Sequence, residues 1–197
     1  ARREGDYYIV NGGKIFTSRV QHSDMLLLLA RTTPYEQSQK KTLGMSIFLV
    51  DLREAGDSIE VRPIDTMLNH ETNQLFFRDL KVPTENLIGE EGKGFYYILD
   101  GMNAERILVA SEAIGDARWF IKRAVQYGNE REIFGRPITK NQGIQFPIAH
   151  AYAQTEAADL MRFRAADLFD AEEACGPEAN MAKLLCSQAS WAAANAT

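Results

Sequence analysis

Hydrophobic and polar positions follow one period up to about residue 88 and another after it. In the first part, short apolar runs of strand type recur at residues 7–10, 14–18, 25–31, 45–51, 59–63 and 74–82. Polar segments containing Pro34, Gly44, Gly56 and Asn69 separate them, as turns between strands require. Asn11-Gly12-Gly13 lies between the first two runs. Asn-Gly tolerates the left-handed backbone of a tight turn, so this site predicts a hairpin with residues 14–18 as the return strand. The first part is expected to be a small antiparallel β domain.

Pro83 and the segment Gly89-Glu90-Glu91-Gly92-Lys93-Gly94 then interrupt the chain, and the spacing becomes helical. From residue 95 to about 127, one apolar row runs through Ile98, Met102, Val109, Ala113, Phe120 and Ala124. A flanking row runs through Ala110, Ile114, Ala117, Ile121 and Val125. A helix of about 33 residues is about 50 Å long and has to pack in a bundle. A second helix is predicted from Gln142 to about Ala171. A third follows Gly176-Pro177, where proline suits the first turn, and carries Met181, Leu184, Leu185, Ala189, Trp191 and Ala192. The fold class expected is α+β: a small antiparallel β-barrel or sandwich, residues 1–88, then long antiparallel helices of a four-helix-bundle type, residues 89–197. The absent initiator methionine and the apolar last helix lead us to expect a piece of something longer.

Composition narrows the function classes. A formal charge of -5 with lysines and arginines scattered among acids gives no basic field for nucleic acid. The longest apolar run, residues 25–30, is far short of the roughly 20 residues of a membrane helix. Cys175 and Cys186 fit neither a metal knuckle nor a redox pair and read as reduced thiols, which favours a cytoplasmic setting. His22, His70 and His150 have no partners at ligand spacing, so no metal is expected. Gly-x-Gly-x-x-Gly after a strand and Walker-type Gly-Lys-Ser/Thr are both missing, which excludes a Rossmann or P-loop route to nucleotides.

The chemistry-bearing stretch is Glu130-Arg131-Glu132-Ile133-Phe134-Gly135-Arg136-Pro137-Ile138, followed by Asn141-Gln142. It puts an arginine and a phenylalanine at a corner between two helices, an arrangement able to hold a phosphate and a flat ring; read alone, Arg131 also fits a solvated charge cluster with Glu130 and Glu132. The stretch resembles the Arg-x-x-Phe-Gly segment of acyl-CoA dehydrogenases, flavoenzymes that desaturate acyl thioesters. Two further segments carry the resemblance. Asn11-Gly12-Gly13-Lys14-Ile15-Phe16-Thr17-Ser18 is similar to the family's Asn-Gly-x-Lys-x-Trp-Ile-Thr, and residues 74–95 resemble its last β strand and the lead into its first long helix.

The resemblance implies FAD as cofactor, with Phe16 in place of the tryptophan that stacks near the flavin and Ser18, next to Thr17, in place of the threonine that bonds the flavin N5 edge. Phenylalanine keeps the apolar face and lacks the indole N–H. Arg131 resembles the arginine that reaches the FAD pyrophosphate across a subunit interface; Phe134 and Gln142 resemble residues near the adenine end of the same FAD, and Asn141 is counted with them among the cofactor-binding positions. Asn103 and Arg106, three apart on one helix face, match positions lining the acyl-CoA pocket. Glu105 directly precedes Arg106, the place of the catalytic base in isovaleryl-type and long-chain-type members; in most members the base lies further on, beyond the position of Thr197. The resemblance further implies an acyl-CoA substrate, an electron-transfer flavoprotein or similar acceptor, a homodimer or homotetramer, and the mitochondrial matrix in a eukaryote. The family's N-terminal helical domain has no counterpart here, so the segment alone is expected to be inactive. An acyl-CoA oxidase-like enzyme, or a flavin- or acyl-CoA-binding protein without catalysis, is the alternative.

Overall fold

A computed structural model describes residues 1–67 and 71–196. Asn69 and His70, named above, lie outside them. The chain divides into two compact units, Ala1–Leu99 and Asp100–Thr197.

The first unit contains β1 (Arg2–Glu4), β2 (Tyr7–Ser18), β3 (Met25–Arg31), β4 (Met45–Asp51), β5 (Ile59–Pro63), β6 (Thr72–Pro83) and β7 (Leu87–Ile88). They form two antiparallel sheets, ordered β1-β2-β6-β5 and β3-β4-β7. Along the start of β2 and the first half of β6 alternate residues point inward, as the pleat dictates. Tyr8 and Val10 on β2, Leu75, Phe77, Leu80 and Val82 on β6, Leu28 on β3 and Phe48 and Val50 on β4 make one shared core. Each side chain removed from water this way contributes about 2 kcal/mol. The Tyr8 and Phe48 rings meet at 4.8 Å between centroids. This is a sandwich of two open sheets; among the described residues no barrel closes.

The predicted hairpin at Asn11-Gly12 does not form. Strand β2 runs straight through it and pairs with β6 on both sides, with register shifts between Val10 and Gly12 and between Lys14 and Thr17. The Asn11 amide donates to the Asp79 carboxylate at 2.9 Å and its carbonyl accepts from the Asp79 amide N–H at 2.9 Å. Asp79 takes a left-handed φ of 46°. A bulge, set by a partner 68 residues away, replaces the turn.

Helix α1 (Gly94–Glu130) begins in the first unit. A Cβ on Gly94 would lie 2.7 Å from the Ile47 backbone nitrogen, so only glycine lets α1 start against β4. The preceding segment is fixed by the Tyr8 hydroxyl donating to Glu91 at 2.8 Å. Burial and the Glu91 contact push the Tyr8 phenol above its ordinary value.

The second unit holds the rest of α1, the short strands β8 (Glu132–Ile133) and β9 (Arg136–Pro137), α2 (Gln142–Asp170) and α3 (Gly176–Asn195). On α1 the buried apolar side chains are Ala110, Ile114, Ala117 and Ala124, which is mainly the flanking row; Met102 and Val125 remain 41% exposed. Helix α3 meets α2 through Ala179, Ala182, Cys186, Ala189 and Ala193 against Ala151, Thr155, Ala158 and Ala165. These small side chains allow close helix approach. The large apolar residues of α3 point outward, with Leu184 and Trp191 well exposed. No helix of the described residues is long and apolar enough to cross a membrane.

Behind the alanine seam sits a polar cluster. Asp159 is 6% exposed and accepts from Arg118 Nη2 at 2.8 Å and Arg162 Nε at 2.6 Å. Cys186 lies beside it, and burial followed by the Asp159 charge pushes its thiol up to about 11, so it is no nucleophile at neutral pH.

Candidate functional site

Three groups of residues are candidates, one in the first unit and two in the second. In the first unit, Ile15 and Phe16 together oppose the single residue Gln74 between the pairs Lys14 with Leu75 and Thr17 with Asn73. Two residues against one is a β-bulge, and it turns the Phe16 side chain outward. Phe16 has φ 61° and is 68% exposed. A left-handed phenylalanine is a conformational outlier that its neighbours must impose. Thr17 is half-buried and Ser18 exposed. Lys14, just before the bulge, donates to the Leu29 carbonyl at 2.7 Å, and burial draws its pKa below the ordinary lysine value.

In the second unit, Asn103 and Arg106 do share a face of α1, and Arg106 Nη1 donates to Asn103 Oδ1 at 3.1 Å. Asn103 borders a cleft of about 610 Å³. The cleft's other walls include Asp100, Phe169, Asp170, Glu172 and Glu173, an acidic surround that helical periodicity alone did not reveal. Glu105 is not part of that wall. It is exposed, along the same side of α1 as Leu108, Glu112, Asp116 and Trp119, and makes no ion pair among the described residues.

Between α1 and α2 the chain makes the hairpin of β8 and β9, with Ile133 opposite Arg136 and Glu132 opposite Pro137. Phe134 and Gly135 form its two-residue tip with φ 56° and 74°, the doubly left-handed geometry that matches strand twist. Phe134 is fully exposed. The Ile138 N–H donates to the Arg131 carbonyl at 2.9 Å and closes the hairpin, while the Arg131 guanidinium has no acidic partner among the described residues. The charge cluster with Glu130 and Glu132 thus forms no pair; Glu130 instead accepts from Gln126 at 3.0 Å. Gly128 lets the 3-10 turn Ile138–Lys140 press on α1, since a Cβ there would meet Thr139 Cγ2 at 2.6 Å. Asn141, preceding α2, accepts from Arg136 at 3.0 Å, and Gln142 opens the helix exposed. Arg131, Phe134, Asn141 and Gln142 are therefore brought to one corner as cation, ring and amides, a donor set that fits a nucleotide's phosphates and base.

Residues 92–197 match the family model "Acyl-CoA dehydrogenase, C-terminal domain" and residues 1–80 match "Acyl-CoA dehydrogenase, middle domain". Among curated proteins, the chain is 39% identical over 178 residues to cyclohex-1-ene-1-carbonyl-CoA dehydrogenase of Syntrophus aciditrophicus, covering 90% of the chain and 42% of that protein. It is 36% identical over 185 residues to the caffeyl-CoA reductase-Etf complex subunit CarC of Acetobacterium woodii, covering 93% and 48%. The crystal structure of an acyl-CoA dehydrogenase from Geobacillus kaustophilus superposes with a TM-score of 0.90 at 32% identity, covering 99% of this chain and 51% of that one. The chain spans about half the length of the curated relatives it matches.

Proposed function

Because the chain belongs to the acyl-CoA dehydrogenase family, we propose that it forms the middle β unit and part of the helical unit of a flavoenzyme that removes two hydrogens across the Cα–Cβ bond of an acyl-CoA thioester. FAD, when bound, supplies the acceptor for the hydride leaving the β carbon. Glu105 takes the proton from the α carbon; among the described residues its carboxylate makes no ion pair, so it is free to accept that proton. Arg106, braced by Asn103, orients the thioester ligand. The carboxylates around Asn103 disfavour phosphates there, so the neutral amides of the pantetheine arm suit that wall better. Phe16 offers its ring to the flavin, and Thr17 and Ser18 present their polar groups to its edge.

The observation that carries the reading is the β8–β9 tip. An arginine with no acidic partner among the described residues stands three residues from a phenyl ring that is fully exposed, and the packing of the described residues explains neither arrangement. Arg131 pairs with the pyrophosphate of a neighbouring copy's FAD, and Phe134, Asn141 and Gln142 meet the adenine end, which makes a homodimer or homotetramer the working assembly. Similarity to a subunit of a reductase-Etf complex supports an electron-transfer flavoprotein as acceptor.

The test is to purify the full-length protein and follow its flavin absorbance anaerobically on adding a panel of acyl-CoA thioesters. Bleaching is the expected result; a protein without flavin, or one that no thioester bleaches, overturns the reading. Arg131→Ala is expected to weaken FAD retention about 30-fold, the loss of a paired guanidinium–phosphate contact of about 2 kcal/mol. Unchanged retention, measured by equilibrium dialysis of FAD against the apoprotein, would remove Arg131 from the cofactor site.

A further inference from the structure

Asn73 is a fully buried polar side chain that pairs with Thr17 beside the Phe16 bulge, and its contacts are unusual in number. Its amide nitrogen donates to the Thr17 carbonyl at 3.2 Å, to Gln21 Oε1 at 2.9 Å and to the Glu71 carbonyl at 2.5 Å, so two hydrogens are shared among three acceptors. Its carbonyl accepts from Gln21 Nε2 at 2.6 Å. Asn73 and Gln21 thus form a reciprocal pair of amides, each donating to the other. The Arg19 N–H also donates to Glu71, at 3.1 Å, which ties the far side of the same turn to the same carbonyl.

The arrangement does more than satisfy a buried amide. Asn73 reaches across the β2–β6 ladder at a place where the register slips, and it bonds the carbonyl that directly follows the left-handed phenylalanine. Gln21 sits in the 3-10 turn Val20–His22, entered through Arg19, itself left-handed at φ 57°. Two left-handed non-glycine residues within four positions are held by one amide pair. Without it, the chain would relax toward the unstrained backbone that L residues prefer.

We propose that the Gln21–Asn73 pair is a positioning device for Phe16, Thr17 and Ser18, locking the bulge so that this segment meets the flavin in a single pose. The inference rests on the flavin-facing role proposed above for that segment. Neither residue touches the reacting atoms; both act through the backbone they hold.

The test uses the full-length protein with FAD bound. Gln21 is exposed, so Gln21→Met removes the pair without opening the core; Asn73→Leu removes it from the buried side. Gln21→Met leaves the buried Asn73 carbonyl oxygen without its Gln21 donor, so its thermal midpoint is expected to fall by a few degrees, about 5 °C, while the half-saturating acyl-CoA concentration stays at the wild-type value. Its flavin should bleach about tenfold more slowly at saturating substrate, the effect of losing a hydrogen-bonded pair that orders the segment. Asn73→Leu should show the same slowing where it folds. Wild-type bleaching in Gln21→Met, whether or not Asn73→Leu folds, overturns the positioning role and leaves the flavoenzyme reading standing. A wild-type protein that binds no flavin overturns both.

Discussion

Glu105→Gln in the full-length protein is expected to slow acyl-CoA-dependent flavin bleaching by about 10² to 10⁴-fold, the usual contribution of a positioned general base. FAD content and substrate binding should hold, because the amide fills the same space as the carboxylate and, among the described residues, Glu105 anchors no side-chain hydrogen bond or ion pair that would be lost. The residue lies between Ala104 and the Asn103-braced Arg106, so its backbone is set by the middle of a 37-residue helix and not by a loop. Stopped-flow absorbance under anaerobic conditions reads the step directly. If the Glu105→Gln protein bleaches at the wild-type rate, the base lies elsewhere and Glu105 is a surface carboxylate of α1.

Asp159→Ala should be the most damaging substitution for stability among the charged residues described. Asp159 is nearly inaccessible and is the shared acceptor for two guanidinium groups. Its removal leaves Arg162, whose side chain is 16% exposed, with no carboxylate to answer its charge. Stranding a mostly buried cation costs about 3 kcal/mol. Arg118 is half exposed and keeps Glu156 at 3.2 Å, so it adds little to the loss. Denaturant unfolding of the full-length protein would show the midpoint falling, with Asp159→Asn intermediate because it retains one acceptor oxygen. A loss below about 1 kcal/mol would mean that water reaches Arg162 and screens it.

Much of the fold was legible because its signals are local. The apolar runs of β3, β4 and β5 are bounded by polar turns, and their ends coincide with the predicted residues. Helices α1 and α2 also begin within a residue of their expected starts. The failures share a cause. Asn11-Gly12 has hairpin chemistry, but Asp79 recruits Asn11 across the sheet and a bulge results. In α3, periodicity groups Leu184 and Trp191 with the apolar residues and cannot say that alanines and a cysteine form the seam while the larger groups face out. The sites divide in the same way. Asn103 with Arg106 is a spacing of three on one helix and could be read from the chain. The Gln21–Asn73 pair spans 52 residues, and nothing in either local sequence announces it.

The length of α1 has a genetic consequence. Glu105 and Arg131 are separated by 26 residues of essentially continuous helix, about 39 Å at 1.5 Å per residue. In the proposed assembly, Glu105 serves one active centre and Arg131 of the same polypeptide serves another. Two inactive alleles, one altered at Glu105 and one at Arg131, would then complement each other when co-expressed. In a mixed pair one centre carries both lesions and the other carries neither, so activity reappears from two dead subunits. Two alleles both altered at Glu105 would not rescue one another.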